Sequence, residues 1–186
     1  MDYFSVDIEA SGPIPGIHNL LSLGVSHVRR VEGRYQVLED AYFELKPVYP
    51  GFLEAAMRVH GLDPVRLEAE GLSPADAMRG LSAFVKAHHK GKGERPVFVA
   101  HNAPFDWMFV AHGYETTGVK NPFGHSALDT KAFAMGKLGI GWVETSLASL
   151  AERLSLPART GPLHHAGADA RYQAELFAAL MNLEPR

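Results

Sequence analysis

Residues 2–9 (DYFSVDIE) alternate, with Phe4, Val6 and Ile8 on one face and Tyr3, Ser5, Asp7 and Glu9 on the other, which is the two-residue period of a β-strand. Residues 20–30 and 35–46 predict two further strands joined by the turn Glu32-Gly33-Arg34, so the chain opens as an antiparallel meander. Pro47, Pro50 and Gly51 end it. Helices are predicted over 52–60, 63–70 and 74–89, the last opened by Ser73 as N-cap and Pro74 at the first helical position. Val97-Phe98-Val99-Ala100 is a short apolar run suited to a buried strand, and Pro104 opens a helix over 104–113. A brief strand at 126–129 and helices at 130–137, 145–154 and 167–183 complete the order β-β-β-α-β-α-β-α, an α/β domain with a mixed sheet.

Composition narrows the class. With 186 residues, 46% hydrophobic and 21% charged, the chain reads as one globular domain spanning 1–186. No stretch approaches the roughly 18 apolar residues of a membrane span, and Asp2, Asp7 and Glu9 interrupt any signal peptide. The absence of Cys excludes disulfides and thiolate metal sites, and the simplest expected location is the cytoplasm. A net charge of −3 argues against coating long nucleic acid through a basic surface, but not against gripping a chain end. His101, His112 and His125 are expected in structural or surface roles, and His88-His89-Lys90-Gly91-Lys92 reads as a solvated basic loop or a guide for an incoming strand.

Three acidic segments carry candidate chemistry. Asp7 and Glu9, two apart on one strand, project from the same face, where they would repel unless a cation lay between them. Hard Mg²⁺ or Mn²⁺ suits such oxygen ligands, although D-I-E alone is more simply a strand end with two solvated acids. In Val99-Ala100-His101-Asn102-Ala103-Pro104-Phe105-Asp106-Trp107, Asp106 has Phe109 and Val110 at i+3 and i+4, beside the apolar face of its helix; an acid favoured by the helix dipole is the competing reading. In His164-His165-Ala166-Gly167-Ala168-Asp169, Asp169 shares an inward face with Tyr172, Gln173, Leu176 and Leu180. In a continuous helix His164 would be rotated about 140° from Asp169, so a shared site requires His164 in the preceding loop, near Gly161 and Pro162.

The ordered set D-I-E, H-N-A-P-F-D-W and H-H-A-G-A-D resembles the DEDDh, or DnaQ-like, 3′→5′ exonucleases, which include polymerase proofreading subunits, ribonuclease T and oligoribonuclease. Ser22-Leu23-Gly24-Val25, Val59-His60-Gly61-Leu62, Leu128-Asp129-Thr130 and Ser146-Leu147-Ala148-Ser149-Leu150 resemble further segments of that family, so the likeness spans almost the whole chain. Ala10-Ser11-Gly12 and the loop Pro13-Ile14-Pro15-Gly16 depart from the family's usual Thr-Thr-Gly, which bears on substrate preference.

The resemblance implies a ribonuclease H-like fold, a mixed five-stranded sheet of three antiparallel and two parallel strands flanked by helices. It implies hydrolysis from the 3′ end of single-stranded DNA or RNA, with release of nucleoside 5′-monophosphates and two divalent cations as cofactors. Asp7, Glu9, Asp106 and Asp169 would be the metal ligands, with Asp7 bridging both ions and Asp106 chiefly at the second. His164 would be the general base, preferred to His165 because Asp169 then falls five residues on. Ala10, Ser11, Gly12, Asn102 and Phe105, with His60, are the candidates to hold the terminal nucleotide, whereas Trp107 is expected in the core. Asp129 is as readily a helix cap as a participant. The resemblance also raises a homodimer and a polymerase partner. An endonuclease and a noncatalytic nucleic-acid-binding module are the alternatives; the filled set of five catalytic positions disfavours the latter.

Overall fold

The computed structural model describes residues 1–161 and 163–184, so Pro162, invoked for the loop before the last helix, lies outside the described residues. Five strands, β1 (Asp2–Ala10), β2 (Leu20–Val31), β3 (Arg34–Glu44), β4 (Val97–Ala100) and β5 (Ala127–Asp129), form one sheet in the order β3-β2-β1-β4-β5. β1, β2 and β3 are antiparallel, and β4 and β5 continue parallel to β1, the mixed sheet expected from the pattern. The β2–β3 turn has positive φ at both central residues, Glu32 and Gly33, the two-residue geometry whose twist matches the flanking strands.

The alternation along β1 assigns its two faces. Phe4, Val6, Ile8 and Ala10 join a core with Leu81 and Val85 of α3 (Pro74–His88) and Phe109 and Val110 of α4 (Ala103–Thr117). On the other face Tyr3, Val28 and Val99 pack against Ala174 and Phe177 of α7 (Ala166–Asn182). Full burial of a side chain such as Phe177 contributes about 1.5–3 kcal/mol, and its 0% exposure identifies α7 as a core helix. The shorter helices are α1 (Glu54–His60), α2 (Pro64–Glu70), α5 (Thr130–Leu138) and α6 (Leu147–Arg153). Ser73 caps α3 by accepting from the Asp76 amide at 3.1 Å, as its position predicts.

Two boundaries differ from the pattern. α4 runs past Gly113 to Thr117 before Gly118 ends it in the left-handed region, because Gly113 sits close against Met78 of α3 and Tyr114 is buried. Packing there outweighs the helix cost of glycine, about 1 kcal/mol. The predicted helix 145–154 is α6, which starts at the Ser146 cap, and a 3₁₀ turn, Trp142–Thr145, precedes it.

Gly24 determines where α7 lies. It pairs with Asp7 across β1 and β2, and a Cβ built on it would overlap the Ala166 carbonyl in the first turn of α7. The missing side chain lets the helix start rest directly on the sheet beside Asp7. Gly24→Ala is therefore expected to destabilise the protein by about 1–3 kcal/mol through overpacking, measured by urea denaturation; an unchanged midpoint would contradict this close approach.

Candidate active site

β1 and β4 pair only from Tyr3↔Val97 to Ser5↔Val99, and beyond that register the strands part. The opening lies at the carboxyl ends of parallel strands, where the chain leaves to either side of β1, the usual position of a binding crevice in an open α/β sheet. The Ile8 amide faces this opening and donates to Asp106 Oδ1 at 3.1 Å, so α4 is tied by its first turn to the β1 backbone. Asp7 and Glu9 leave β1 on the α7 side, and α7 brings Asp169 to them; single carboxylate oxygens of the three lie within 4.8 Å of one another. Asp106 and Asp169 are 5% and 7% exposed, which places this charge in a partly desolvated pocket.

Crowding is visible in the proton affinities. Burial, followed by the charges of Asp106, Asp169 and Glu9, holds the Asp7 carboxyl well above its ordinary range. Burial and the Asp169 charge push Glu9 up to about 7, and burial pushes Asp106 up to about 8 against the opposing Ile8 hydrogen bond. Carboxylates that repel one another this strongly, offering only oxygen donors, fit hard divalent cations.

Most of the remaining sequence-predicted residues flank these acids along the chain, and His60 ends α1. His164 lies in the turn before α7, exposed, with a left-handed φ of 55°, and its charge contributes to lowering the His60 pKa after the larger effect of burial. The preceding loop is thus where His164 must be if it shares the site. His165 is the α7 N-cap: its Nδ1 accepts from the Ala168 amide at 3.3 Å and its ring stacks on Tyr42, centroids 4.3 Å apart. Asn102, also left-handed with φ 74°, is exposed and its side chain makes no cap hydrogen bond. Phe105 is half-buried against Phe109, and Trp107 packs edge-on to Phe98 in the core.

Ala10 is buried. Ser11 is fully buried and its hydroxyl is spent on the loop: it donates to the Gly51 carbonyl at 2.6 Å and accepts from the Asn19 amide at 2.7 Å. Ser11 therefore shapes the loop after β1 and presents no free hydroxyl. A Cβ on Gly12 would overlap the His18 ring, so the glycine lets that loop close.

Four further residues contribute contacts here, and among them the sequence points only to Asp129 as a possible participant. Gln173 Nε2 donates to Asp7 Oδ1 at 2.6 Å while its Oε1 accepts from the His101 amide at 3.0 Å, joining α7, β1 and the β4–α4 turn. Its position four residues after Asp169 was the available clue. Arg159 forms an ion pair with Asp169. Tyr42 supports His165. Asp129 caps α5 and also accepts from the Asn102 amide at 2.9 Å, so it participates by holding the Asn102 turn. His101, with Nδ1 2.9 Å from Thr130 Oγ1 and its pKa pushed down to about 4 chiefly by burial, is structural as expected.

No family model matches the chain. It is 36% identical to the 3′-5′ DNA exonuclease Cap18 of Escherichia coli, covering 99% of this chain and 94% of that protein. It is 31% identical to ribonuclease T of Photorhabdus laumondii, covering 95% and 82%. Among solved structures, the nuclease domain of 3′hExo, a DEDDh family member bound to rAMP, superposes with a TM-score of 0.79 at 12% identity, over 100% of this chain and 94% of that one. Exonuclease I of E. coli in complex with a dT13 oligonucleotide superposes with a TM-score of 0.72 at 17% identity, over 97% and 41%. The ribonuclease H-like architecture is therefore shared.

Without divalent ions, Glu9 and Asp106 retain protons to about 7 and about 8 in the folded state, whereas the unfolded chain releases them near pH 4. Their raised folded pKa values contribute stability that is full below about pH 4 and is lost as pH rises through about 8. Thermal denaturation in chelator should show Tm falling across that window, as the unfolding free energy drops by at most about 1.4 kcal/mol per pH unit for each group. Asp106→Asn should flatten the upper part, and excess Mg²⁺ should restore stability at alkaline pH by binding the native state. Stability that climbed with pH in chelator would contradict the site's electrostatics.

Proposed function

The chain belongs to the DEDDh family of 3′→5′ exonucleases, and we propose that it removes nucleoside 5′-monophosphates from the 3′ end of single-stranded nucleic acid with two divalent cations, Mg²⁺ or Mn²⁺. The observation that carries this reading is the convergence of Asp7, Glu9 and Asp169 within 4.8 Å, with Asp106 closing the pocket from α4. When bound, the cations supply an activated water and offset the negative charge of the transition state. The protein's own side chains do the rest. Asp7, Glu9, Asp106 and Asp169 hold the ions, and Gln173 orients Asp7 through its 2.6 Å hydrogen bond.

His164 accepts the proton of the attacking water. It is exposed in the turn before α7, in a strained backbone conformation of the kind that collects at functional positions, whereas His165 is committed to capping α7. Asn102 and Phe105 border the terminal nucleotide on the α4 side, and Ala10, Ser11 and Gly12 border it through the backbone of the loop after β1. His60 stands on the His164 side. All five proposed catalytic side chains belong to this chain. Among the described residues no helix is long and apolar enough to cross a membrane, and we place the activity in the cytoplasm.

The test uses 5′-labelled single-stranded DNA and RNA with free or blocked 3′ ends. The expected result is a divalent-dependent ladder, abolished by the block and by Asp7→Ala. Internal cuts despite the block would replace this reading with an endonuclease, and intact substrates throughout would replace it with a binding module. His164→Ala should lose about 100- to 10,000-fold in rate while retaining divalent binding by calorimetry, and His165→Ala should act mainly through stability. Full activity in His164→Ala would remove that residue from the mechanism.

A further inference from the structure

A second convergence of metal-ligating side chains lies at the other end of β1 and on the opposite face of the sheet. His27 of β2, Glu39 of β3 and His88, the last residue of α3, bring one ligand atom each to within 4.8 Å of one another. The two adjacent edges are given directly: Glu39 Oε2 is 3.4 Å from His27 Nδ1 and 3.3 Å from His88 Nδ1. A tetrahedral ion with ligand bonds of about 2.0–2.1 Å requires ligand-to-ligand edges of about 3.4 Å.

The surrounding structure orients this group. His27 is 2% exposed, and its ring stacks on Phe4 with centroids 5.1 Å apart. Its other nitrogen, Nε2, lies 3.0 Å from Oδ1 of Asp2, itself 2% exposed; with the ring proton on Nε2, donated to that carboxylate, the Nδ1 lone pair is directed towards Glu39 and His88. A carboxylate behind a histidine in this way fixes the tautomer and raises its basicity as a ligand. Asp2 is held in turn by His89 Nδ1 at 3.0 Å and the Lys90 amide at 2.9 Å, so the segment read as a solvated basic loop is anchored to the buried end of β1. The β2–β3 ladder also breaks here. Ser26 pairs with Asp40 and Val28 with Val37, leaving Leu38 and Glu39 opposite His27 alone. This β-bulge aims Glu39 at the histidine, a recurrent use of bulges beside functional sites.

We propose that His27, Glu39 and His88 form a binding site for a divalent transition ion of the zinc class, separate from the oxygen-only cluster at Asp7. Two imidazoles and one carboxylate select borderline ions over Mg²⁺, and three protein ligands leave a fourth position for water. Because the ligands come from β2, β3 and α3, a bound ion fastens the end of α3 to the sheet.

Cobalt is the probe, with excess Mg²⁺ present to occupy the oxygen-only cluster. The intact protein should show the intense visible absorption of a four-coordinate Co²⁺ centre at one equivalent, and Asp7→Ala should retain it. His88→Ala and Glu39→Gln, both at partly exposed side chains, should weaken Co²⁺ binding by at least about 10-fold; substitution of the exposed His125 should not. Zn²⁺ should raise the Tm of the intact protein and leave the Tm of those two variants unmoved, while their Mg²⁺-dependent exonuclease rate stays at that of the intact protein. Absence of the Co²⁺ band from the intact protein would overturn the proposal, as would a band that survives His88→Ala and Glu39→Gln or disappears in Asp7→Ala.

Discussion

Asp169 can join the carboxylates at the end of β1 because α7 starts directly on the sheet, over the position where Gly24 pairs with Asp7. From that contact the rest follows in order. It fixes the height of Asp169 above Asp7 and Glu9, and it places the capping His165 against Tyr42. It also leaves His164 in the turn before α7, and one turn beyond Asp169 along α7 it positions Gln173 to join Asp7 to the β4–α4 turn. A side chain at residue 24 would push all of these outward together.

The crowding costs stability, and the fold offsets part of the cost locally. Three of the four acids have a donor, each from a different part of the chain: the Ile8 amide for Asp106, Gln173 for Asp7 and Arg159 for Asp169. A carboxylate that keeps its proton to about 8, as Asp106 does, still interacts unfavourably in its charged form despite that bond. The site is therefore preorganised by hydrogen bonds but not neutralised by them, and the residual repulsion is available to drive cation binding. Arg159 supplies positive charge at Asp169.

Much of this was legible in the residues. Period-two alternation placed Asp7 and Glu9 on one face, and the face it assigned is the one α7 covers. The i+4 and i+7 spacing from Asp169 identified the inward side of α7, and geometry required His164 in the loop, where it lies. The positions that could not be read depend on tertiary packing. Gly113 looked like a helix end and is a contact with Met78. Ser11 looked like a hydroxyl offered to a ligand and is an internal loop bond. Gln173 looked like one more inward residue, because its role exists only once β1 and the turn at His101 lie on either side of it. His88 and His89 looked like a surface run, since nothing local indicates that Asp2 is buried beneath them.

The two ends of β1 are chemically distinct because the strand presents alternate residues to opposite faces. Asp7 and Glu9 face α7 at one end, whereas Asp2 supports His27 on the α3 face at the other, three residue pairs away along the ladder from Gly24 to His27. At about 3.3 Å per residue that is roughly 10 Å, in addition to the thickness of the sheet. Oxygen donors alone favour hard ions that exchange readily with solvent and substrate, and imidazole donors favour ions held more tightly. One strand can thus serve a catalytic cluster that must bind and release a polyanion and a nitrogen-rich cluster that fastens a helix, without either selecting the other's ion.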